Sequence, residues 1–267
     1  MKKLLIALCF ICLLTVGCAK KNSIDDNRII VGASPSPHAE ILELCRPFIE
    51  EAGYELVIVE YTDYVLPNTS LWNGDLDANF FQHQPYLTQF NESNKTDLSS
   101  VLAVHFEPLG LYRGLGQPLE SIASGSRIAI PNDATNCARA LHLLAQLGLI
   151  QIDTQKGLLA TENDITFNPI SLQIIALEAA SIPAQLVGFD YGVINGNYVL
   201  SSGINISTLL ATEDPNSLAA ETYANILVVK TGNEQSASIQ VLIDALSQNL
   251  IAEYILSHYN GLVLPVE

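Results

Sequence analysis

Residues 28–61 read RIIVGASPSPHAEILELCRPFIEEAGYELVIVEY, and this stretch predicts the architecture of the chain. Arg28–Ala33 and Leu56–Tyr61 are rich in Val and Ile, which favours β-strands. Between them, residues 38–52 place apolar side chains on one helical face, and Gly53 marks the end of the helix. A strand, a helix and a second strand in this order predict two parallel strands covered by a helix.

The same alternation returns after a turn region at Gly114–Pro118. Arg127–Pro131 predicts a strand, and Asp133 is well placed to cap a helix over Ala134–Leu147. Later, a strand at Ala224–Lys230 and a long amphipathic helix follow a polar linker. Two α/β cycles and a returning strand predict an α/β fold with two lobes, and open parallel sheets bind ligands beyond the carboxyl ends of their strands.

The predicted division follows from these cycles. Residues 28–113 would form lobe 1 and residues 114–222 lobe 2. Residues 223–267 would supply a returning strand and a C-terminal helix, predicted as one element over Ser236–Ser257, that packs mainly on lobe 1. The interlobe cleft is then the natural ligand site.

The N-terminal residues indicate export. Lys2 and Lys3 precede an apolar run, Leu4–Leu14, that is too short to span the hydrocarbon core of a bilayer. Gly17 and Cys18 follow directly and resemble a bacterial lipobox, in which the cysteine is acylated. Residues 1–17 are therefore predicted as a signal peptide, with Cys18 as the lipidation site and 18–27 as a tether to a bacterial membrane, on its periplasmic or outer face. An ordinary secretory signal, with Cys18 incidental, is the alternative.

Charge limits the partners. The full chain of 267 residues has a formal net charge of −16, and loss of the two signal lysines makes it −18. Such an acidic protein is a poor ligand for nucleic acid or anionic lipid. Cys45 and Cys137 are the cysteines left in the folded part, and both are expected to be small buried hydrophobic residues, although a disulfide stays open.

Polar and aromatic clusters follow the predicted strands. They comprise Pro37-His38-Ala39-Glu40-Ile41-Leu42, Asp63-Tyr64-Val65 with Pro67-Asn68, Asp77-Ala78-Asn79 with Phe81-Gln82-His83-Gln84-Pro85-Tyr86-Leu87, His105-Phe106-Glu107-Pro108-Leu109-Gly110-Leu111-Tyr112, Ile130-Pro131-Asn132-Asp133, Val193-Ile194-Asn195-Gly196-Asn197-Tyr198, and Tyr223-Ala224-Asn225. In this order the motifs resemble the NlpA/MetQ family of lipoproteins, the methionine-binding components of bacterial ABC importers. The resemblance runs from about Ile30 to Pro265, and implies a type II-like periplasmic-binding-protein fold.

The resemblance also implies how the backbone of the ligand is held. Arg139 would pair with the carboxylate through its planar fork, with help from Asn136. Asn195 and Asn225 would accept hydrogen bonds from the ammonium group. Residues 212–222 are longer and more irregular than the corresponding family segment, and they border Asn225.

The thioether would lie between the aromatic rings of Tyr64 and Phe81, a contact that suits a polarizable sulfur. His83 and His105 would complete the wall from lobe 1. The resemblance further implies a monomer that delivers L-methionine, D-methionine or a methionine-containing dipeptide to a permease and an ATPase. It implies no cofactor.

Other interpretations stay open at this level. Arg139 could form a salt bridge on a helix surface, the histidines could be core residues, and Asn195 before Gly196 could belong to a turn. His38, His83, His105 and Glu107 could form a zinc or manganese site instead. Enzymatic function is not expected, because the sequence lacks a nucleophile elbow, a P-loop and a dinucleotide fingerprint.

Overall fold

A computed structural model describes residues 27–216 and 221–266. The predicted signal peptide and Cys18 lie outside these residues. Within the described ranges, no helix is both long enough and apolar enough to cross a bilayer.

The first sheet has six strands and forms lobe 1 together with the helices that cover it. Its strands are β1 (Arg28–Ala33), β2 (Glu55–Glu60), β3 (Ala78–His83), β4 (Leu98–Phe106), β12 (Ala224–Lys230) and β13 (Leu264–Pro265). They lie in the order β13-β4-β12-β3-β1-β2. β1 is parallel to β2 and to β3, whereas β12 is antiparallel to β3 and to β4. The returning strand therefore lies inside the sheet of lobe 1.

Helices bury both faces of this sheet. They are α1 (Glu40–Glu51), α2 (Leu66–Asn73) and α3 (Gln84–Asn94), together with the C-terminal helices Ala237–Leu246 and Asn249–His258. The apolar face of α1 packs on the same core as the C-terminal helices. On the opposite side, Lys230 at the end of β12 donates a hydrogen bond from Nζ to the carbonyl oxygen of Trp72 at 3.0 Å, and its ammonium lies 4.4 Å from the indole centroid.

The second sheet has five strands and forms lobe 2. Its strands are β5 (Gly110–Arg113), β6 (Arg127–Pro131), β9 (Gln173–Leu177), β10 (Tyr191–Ile194) and β11 (Leu209–Thr212), in the order β11-β5-β10-β6-β9. A small hairpin of β7 (Gln151–Ile152) and β8 (Ile165–Phe167) lies beside it. The sequence assigned residues 110–113 to lobe 1, but they belong to this sheet, because β5 pairs antiparallel with β10.

Helices α4 (Ala134–Gln146), α5 (Ile182–Gln185) and α6 (Gly196–Ser202) accompany the second sheet. The buried face of α4 packs against the core strands of lobe 2. The predicted cap is present, because Asp133 Oδ1 accepts a hydrogen bond from the backbone N of Asn136 at 3.0 Å.

The prediction of one continuous C-terminal helix over Ser236–Ser257 is wrong, because the structure has two helices in this region. Gln248 adopts an extended conformation, with φ −67° and ψ 138°, and separates two helices of ten residues. The break lets both helices turn apolar side chains, such as Leu242 and Ile255, into the core of lobe 1.

The chain passes between the lobes in two segments, 107–109 and the stretch after β11, of which the structure describes residues 213–216 and 221–223. They are hydrogen-bonded to each other, since the backbone N of Glu213 donates to the carbonyl oxygen of Leu109 at 3.1 Å. In return, the backbone N of Leu109 donates to Glu213 Oε2 at 2.8 Å. These segments form the hinge region, and the cleft between the two sheets opens beside them.

Candidate functional site

A cavity lies between the lobes. Seven of the eight residues that the sequence singled out line it, and His105 does not. The lining consists of Tyr64, Phe81, Gln82, His83, Tyr86, Glu107, Asn136, Arg139, Asn195, Gly196, Asn197 and Asn225. Their roles as ligand contacts remain predictions.

One end of the cavity is aromatic. The ring centroid of Tyr64 lies 5.8 Å from that of Phe81 and 5.8 Å from that of Tyr86. Tyr198, from lobe 2, places its ring centroid 4.9 Å from that of Tyr64. Such distances are typical of favourable aromatic contacts, and a group of this kind offers an apolar, polarizable surface to a side chain.

The same aromatic residues connect the lobes. The hydroxyl of Tyr64 donates a hydrogen bond to Asn197 Oδ1 at 2.6 Å, and the hydroxyl of Tyr198 donates to the carbonyl oxygen of Thr62 at 3.3 Å. Burial raises the pKa of Tyr64 well above its usual value, so the phenol stays protonated and able to donate. The described conformation is therefore one in which the lobes are in contact over the cavity.

The opposite end carries an amide network. Asn136 Oδ1 accepts from Asn195 Nδ2 at 3.0 Å and lies 3.2 Å from His83 Nε2, while Asn136 Nδ2 donates to Asp133 Oδ1 at 2.9 Å. The ring nitrogen His83 Nδ1 accepts from the backbone N of Tyr86, so the proton of a neutral imidazole is on Nε2. Burial, followed by the nearby Arg139, lowers the pKa of His83 to about 3, and the ring is therefore neutral at pH 7.

Two acceptor atoms of this network, Asn195 Oδ1 and Asp133 Oδ2, are buried without a partner among the described residues, and of these two residues Asn195 lines the cavity. Asn195 Oδ1 is buried and has no hydrogen-bond partner among the described residues, although its own amide nitrogen is held by Asn136. A buried unpaired carbonyl is costly unless a donor arrives. The cavity therefore has a place for a ligand donor such as an ammonium group. Both ends of the Asn136 side-chain amide are engaged within the protein, and its predicted help to Arg139 in holding a ligand carboxylate stays a prediction.

Arg139 is buried, with only 4% of its surface exposed, and its fork is occupied. Its Nε donates to Glu213 Oε1 at 2.7 Å and its Nη2 to Glu213 Oε2 at 2.6 Å. Nη2 also donates to the carbonyl oxygen of Glu107 at 2.7 Å. The edge formed by Nε and Nη2 is therefore already occupied in the described conformation, and the pairing of Arg139 with a ligand carboxylate stays a prediction. The arginine forms a salt bridge, but inside the protein rather than on a helix surface.

His105 lies behind the cavity wall. Its Nε2 is 2.8 Å from Glu107 Oε1, and His38 Nε2 is 3.4 Å from the same oxygen. His38 Nε2 is also 3.0 Å from Asn225 Oδ1, while Glu107 Oε2 accepts from the backbone N of Asn197 at 2.6 Å. Burial lowers the pKa of His38 to about 4 and that of His105 to about 3, and it raises the pKa of Glu107. The histidines are thus neutral hydrogen-bonding groups that orient Asn225 and Glu107.

The metal interpretation can be compared with this cluster. Ligand atoms of His38, His105 and Glu107 lie within 4.8 Å of one another. However, Nδ1 of both histidines is buried and has no partner among the described residues, whereas metal-bound histidines normally donate that second N–H to an acceptor. His83, the fourth residue of the metal interpretation, is not part of this cluster, and its Nε2 lies 3.2 Å from Asn136 Oδ1. The geometry favours a hydrogen-bonded cluster.

Several lining residues were not proposed from the sequence. Tyr86 and Asn197 stand inside the quoted motifs, so their motif membership was the signal that could have found them. Glu107 also stands inside a quoted motif, but the metal interpretation alone gave it a role. Glu213, which is not among the cavity-lining residues, gave no signal, because it lies in an irregular polar segment 74 residues from Arg139 in sequence.

Comparison with known proteins identifies the family of this chain. The family model described as NlpA lipoprotein matches residues 29–267. This chain belongs to the NlpA lipoprotein family. Among curated relatives, the methionine-binding lipoprotein MetQ of Bacillus subtilis is 34% identical over 93% of this chain and 92% of the relative. The D-methionine-binding lipoprotein MetQ of Salmonella typhimurium is 33% identical over 92% of this chain and 90% of the relative.

Solved structures of family relatives share the fold. A Treponema pallidum lipoprotein matches with a TM-score of 0.84 at 38% identity, covering 90% of this chain and 99% of the other. A nutrient-binding protein of Burkholderia cenocepacia, solved bound to methionine, matches with a TM-score of 0.84 at 32% identity, covering 90% and 100%. The predicted α/β periplasmic-binding-protein fold and the family resemblance are confirmed.

Proposed function

We propose that this chain is the solute-binding lipoprotein of an ABC importer and that it captures methionine between its lobes. The observation that carries the proposal is the cavity itself, which has an aromatic end around Tyr64 and Phe81 and a polar end with the unpartnered Asn195 Oδ1. Methionine has the matching parts, a thioether at one end and an ammonium and a carboxylate at the other. The relatives named above, with methionine in their names or bound in the solved structure, support the same ligand.

The roles in this proposal are divided between the lobes. Lobe 1 supplies Tyr64 and Phe81 for the side chain, and lobe 2 supplies Asn195 for the ammonium and the remaining guanidinium edge of Arg139 for the carboxylate. Asn225, which His38 orients, lies at the boundary. Because the site is complete only when both lobes meet, ligand binding favours the closed conformation.

The ligand can be identified directly. Protein purified without added amino acids should release methionine on unfolding, as detected by mass spectrometry. After removal of bound ligand and refolding, methionine at a hundred times its Kd should stabilise the protein by about 2.7 kcal/mol. If the melting temperature does not respond to L-methionine, D-methionine or methionyl dipeptides, the proposed function is wrong.

The enantiomer is a separate choice. L-Methionine is the main proposal, and D-methionine is the second candidate because relatives of nearly equal identity carry either methionine or D-methionine in their names. Calorimetric titration of both enantiomers into stripped protein decides between them. A methionyl dipeptide competes for the same site in the titration.

Export and anchoring belong to the same proposal. Cys18 is the proposed acylation site, so Cys18→Ser should release the mature protein in soluble form with unchanged methionine affinity. Wild-type protein recovered without lipid, with its N-terminus at another residue, would contradict the anchor. The permease and ATPase of an importer are the proposed partners, and the proposed solution state is a monomer.

We further infer that the protein binds its ligand without transforming it. Both described cysteines are free and buried. Burial, followed by Glu162 and Asp133, raises the pKa of the Cys137 thiol to about 12, so its reactive thiolate form is disfavoured. A constant amount of intact methionine after prolonged incubation with the protein is the expected result.

A further inference from the structure

The carboxylate of Glu213 is the charged group closest to the proposed carboxylate partner of the ligand. It is buried, with 6% of the residue exposed. Its two oxygens accept hydrogen bonds from Arg139 Nε, from Arg139 Nη2 and from the backbone N of Leu109, at 2.6 to 2.8 Å. Glu213 is therefore fixed at the hinge and ties Arg139 to it.

This arrangement determines which part of Arg139 a ligand can reach. The described hydrogen bonds of the guanidinium use Nε and Nη2, and Nη1 makes none with a residue that the structure describes. Arg139 nevertheless lines the cavity, with its guanidinium carbon 4.4 Å from the ring centroid of Tyr223. A ligand carboxylate can therefore meet the guanidinium only through the Nη1 edge.

The pair also determines the charge that the ligand meets. Arg139 and Glu213 together are neutral, and Glu107 is a further buried carboxylate in the lining. A net anion would enter a low-dielectric cavity without a net positive charge to balance it, which is unfavourable. A zwitterion carries its own balancing ammonium, for which Asn195 Oδ1 is available.

We infer that Glu213 is a specificity-determining residue that makes the cleft select ligands of zero net charge with one carboxylate and one free ammonium group. The inference rests on the proposed function and deepens it. Glu213 fulfils this role through Arg139, by holding one edge of the guanidinium and by cancelling its charge.

The test compares three ligands that share the thioether. Methionine is the zwitterion, methylthiobutanoate lacks the ammonium and is an anion, and methylthiopropylamine lacks the carboxylate and is a cation. Both analogues are smaller than methionine, so size does not exclude them. Calorimetry on stripped protein gives the three affinities for the wild type and for Glu213→Gln.

Glu213→Gln should raise the affinity for the anion relative to methionine by on the order of tenfold, and lower that for the cation relative to methionine, because one buried negative charge is lost. Glu120→Gln is the matched control, since it makes the same charge change at an exposed position of lobe 2. Its affinity ratios should stay within about twofold of wild type.

A purely structural role for Glu213 predicts another pattern, in which all three affinities fall together and the ratios stay constant. That result would overturn the inference. Glu213→Asp keeps the charge but shortens the side chain, so it should lower absolute affinity while retaining the wild-type ratios. If Glu213→Gln does not fold, a changed ratio in Glu213→Asp overturns the inference by itself. Wild-type protein that binds no methionine would instead contradict the proposed function.

Discussion

At the scale of single residues, the site depends on which polar atoms are already occupied. Asn136 has both ends of its amide engaged, by Asn195 and Asp133, and Arg139 has one edge engaged by Glu213. Among the described residues, Asn195 Oδ1 and Arg139 Nη1 have no hydrogen-bond partner. The proposed recognition therefore depends also on Asp133 and Glu213, which are not among the cavity-lining residues but fix the orientation of side chains that are.

Arg139→Ala should weaken methionine binding by on the order of tenfold to a hundredfold, because it removes one charged hydrogen-bonding edge. A full bidentate pairing would cost more, up to several thousandfold. Titration calorimetry on a folded, stripped variant measures the loss. Arg139→Lys should recover only part of the affinity, because an ammonium group lacks the planar fork. Affinity of Arg139→Ala within threefold of wild type would contradict the placement of the carboxylate.

The substitution Arg139→Ala also tests the buried salt bridge between Arg139 and Glu213. Arg139→Ala or Glu213→Ala alone leaves a buried charge unpaired and should lower the free energy of unfolding by about 3–5 kcal/mol. The double variant should lose less than the sum of the two, because neither charge remains. Urea unfolding of all four proteins measures the coupling, and strictly additive losses would show that the pair contributes nothing specific.

The sequence predicted the membership of the cavity well but not the direction of each side chain. Motif residues such as Tyr64, Phe81 and Asn195 line the cavity because they lie near or just after the ends of strands that meet at the cleft. His105 follows the same rule, yet its ring turns into the core beside Glu107. Position at a strand end does not specify which face a side chain takes. Glu213 could not be found, since no local pattern connects it to Arg139.

At the scale of elements, α4 is the helix that positions the polar end of the site. Asp133 caps it, and the same carboxylate oxygen, Oδ1, also accepts from the side chains of Asn136 and Thr135. The helix start and the amide network therefore share one residue. Loss of the cap should therefore weaken ligand binding, even though Asp133 is not among the cavity-lining residues.

Asp133→Ala should lower the free energy of unfolding by about 0.5–2 kcal/mol through loss of the cap, and it should also weaken methionine binding because Asn136 loses a partner. Asp153→Ala is a matched control: Asp153 Oδ1 accepts from the backbone N of Gln155 at the start of a short 3₁₀ segment, and Asp153 is not among the cavity-lining residues. It should reduce stability without changing affinity. Urea unfolding and calorimetry give both quantities, and equal affinity losses in the two variants would contradict the coupling.

Element boundaries were predictable where turn and capping residues mark them. Asp133 and Gly53 mark the start of α4 and the end of α1 as expected. The region 236–257 lacks such a mark, because Ser247 and Gln248 are ordinary residues within a helical pattern, and the break serves packing on the core. The lobe boundary near residue 110 was missed because β5 is only four residues long and follows β4 after a short connection.

At the scale of the whole molecule, the lobes share a buried polar layer with titratable groups. His83 and His105, together with His38, have pKa values lowered to about 3 or 4. Each takes up a proton more readily in the unfolded chain, whose histidines titrate near 6.5. The contribution of these histidines to the free energy of unfolding is therefore constant above pH 6.5, and it decreases as the pH falls below that value. Glu107 and Asp133, with raised pKa values, act in the opposite direction.

His105→Gln isolates one of these contributions. Between pH 7 and pH 5, the free energy of unfolding of the wild type should fall by about 2 kcal/mol more than that of the variant. The reason is that the unfolded wild type takes up one proton, on His105, that the variant cannot. Urea unfolding at both pH values gives the difference. Identical pH dependence in His105→Gln and wild type would show that the buried ring does not control acid stability.

Trp72 is the single tryptophan of the chain. It lies in lobe 1, with its carbonyl oxygen bonded to Lys230 on the returning strand, and it does not line the cavity. Its fluorescence should therefore follow the loss of lobe 1 structure and change little when ligand enters. Because Lys230 joins the sheet only after the chain has returned from lobe 2, the emission of one native fluorophore reports when the returning segment has docked.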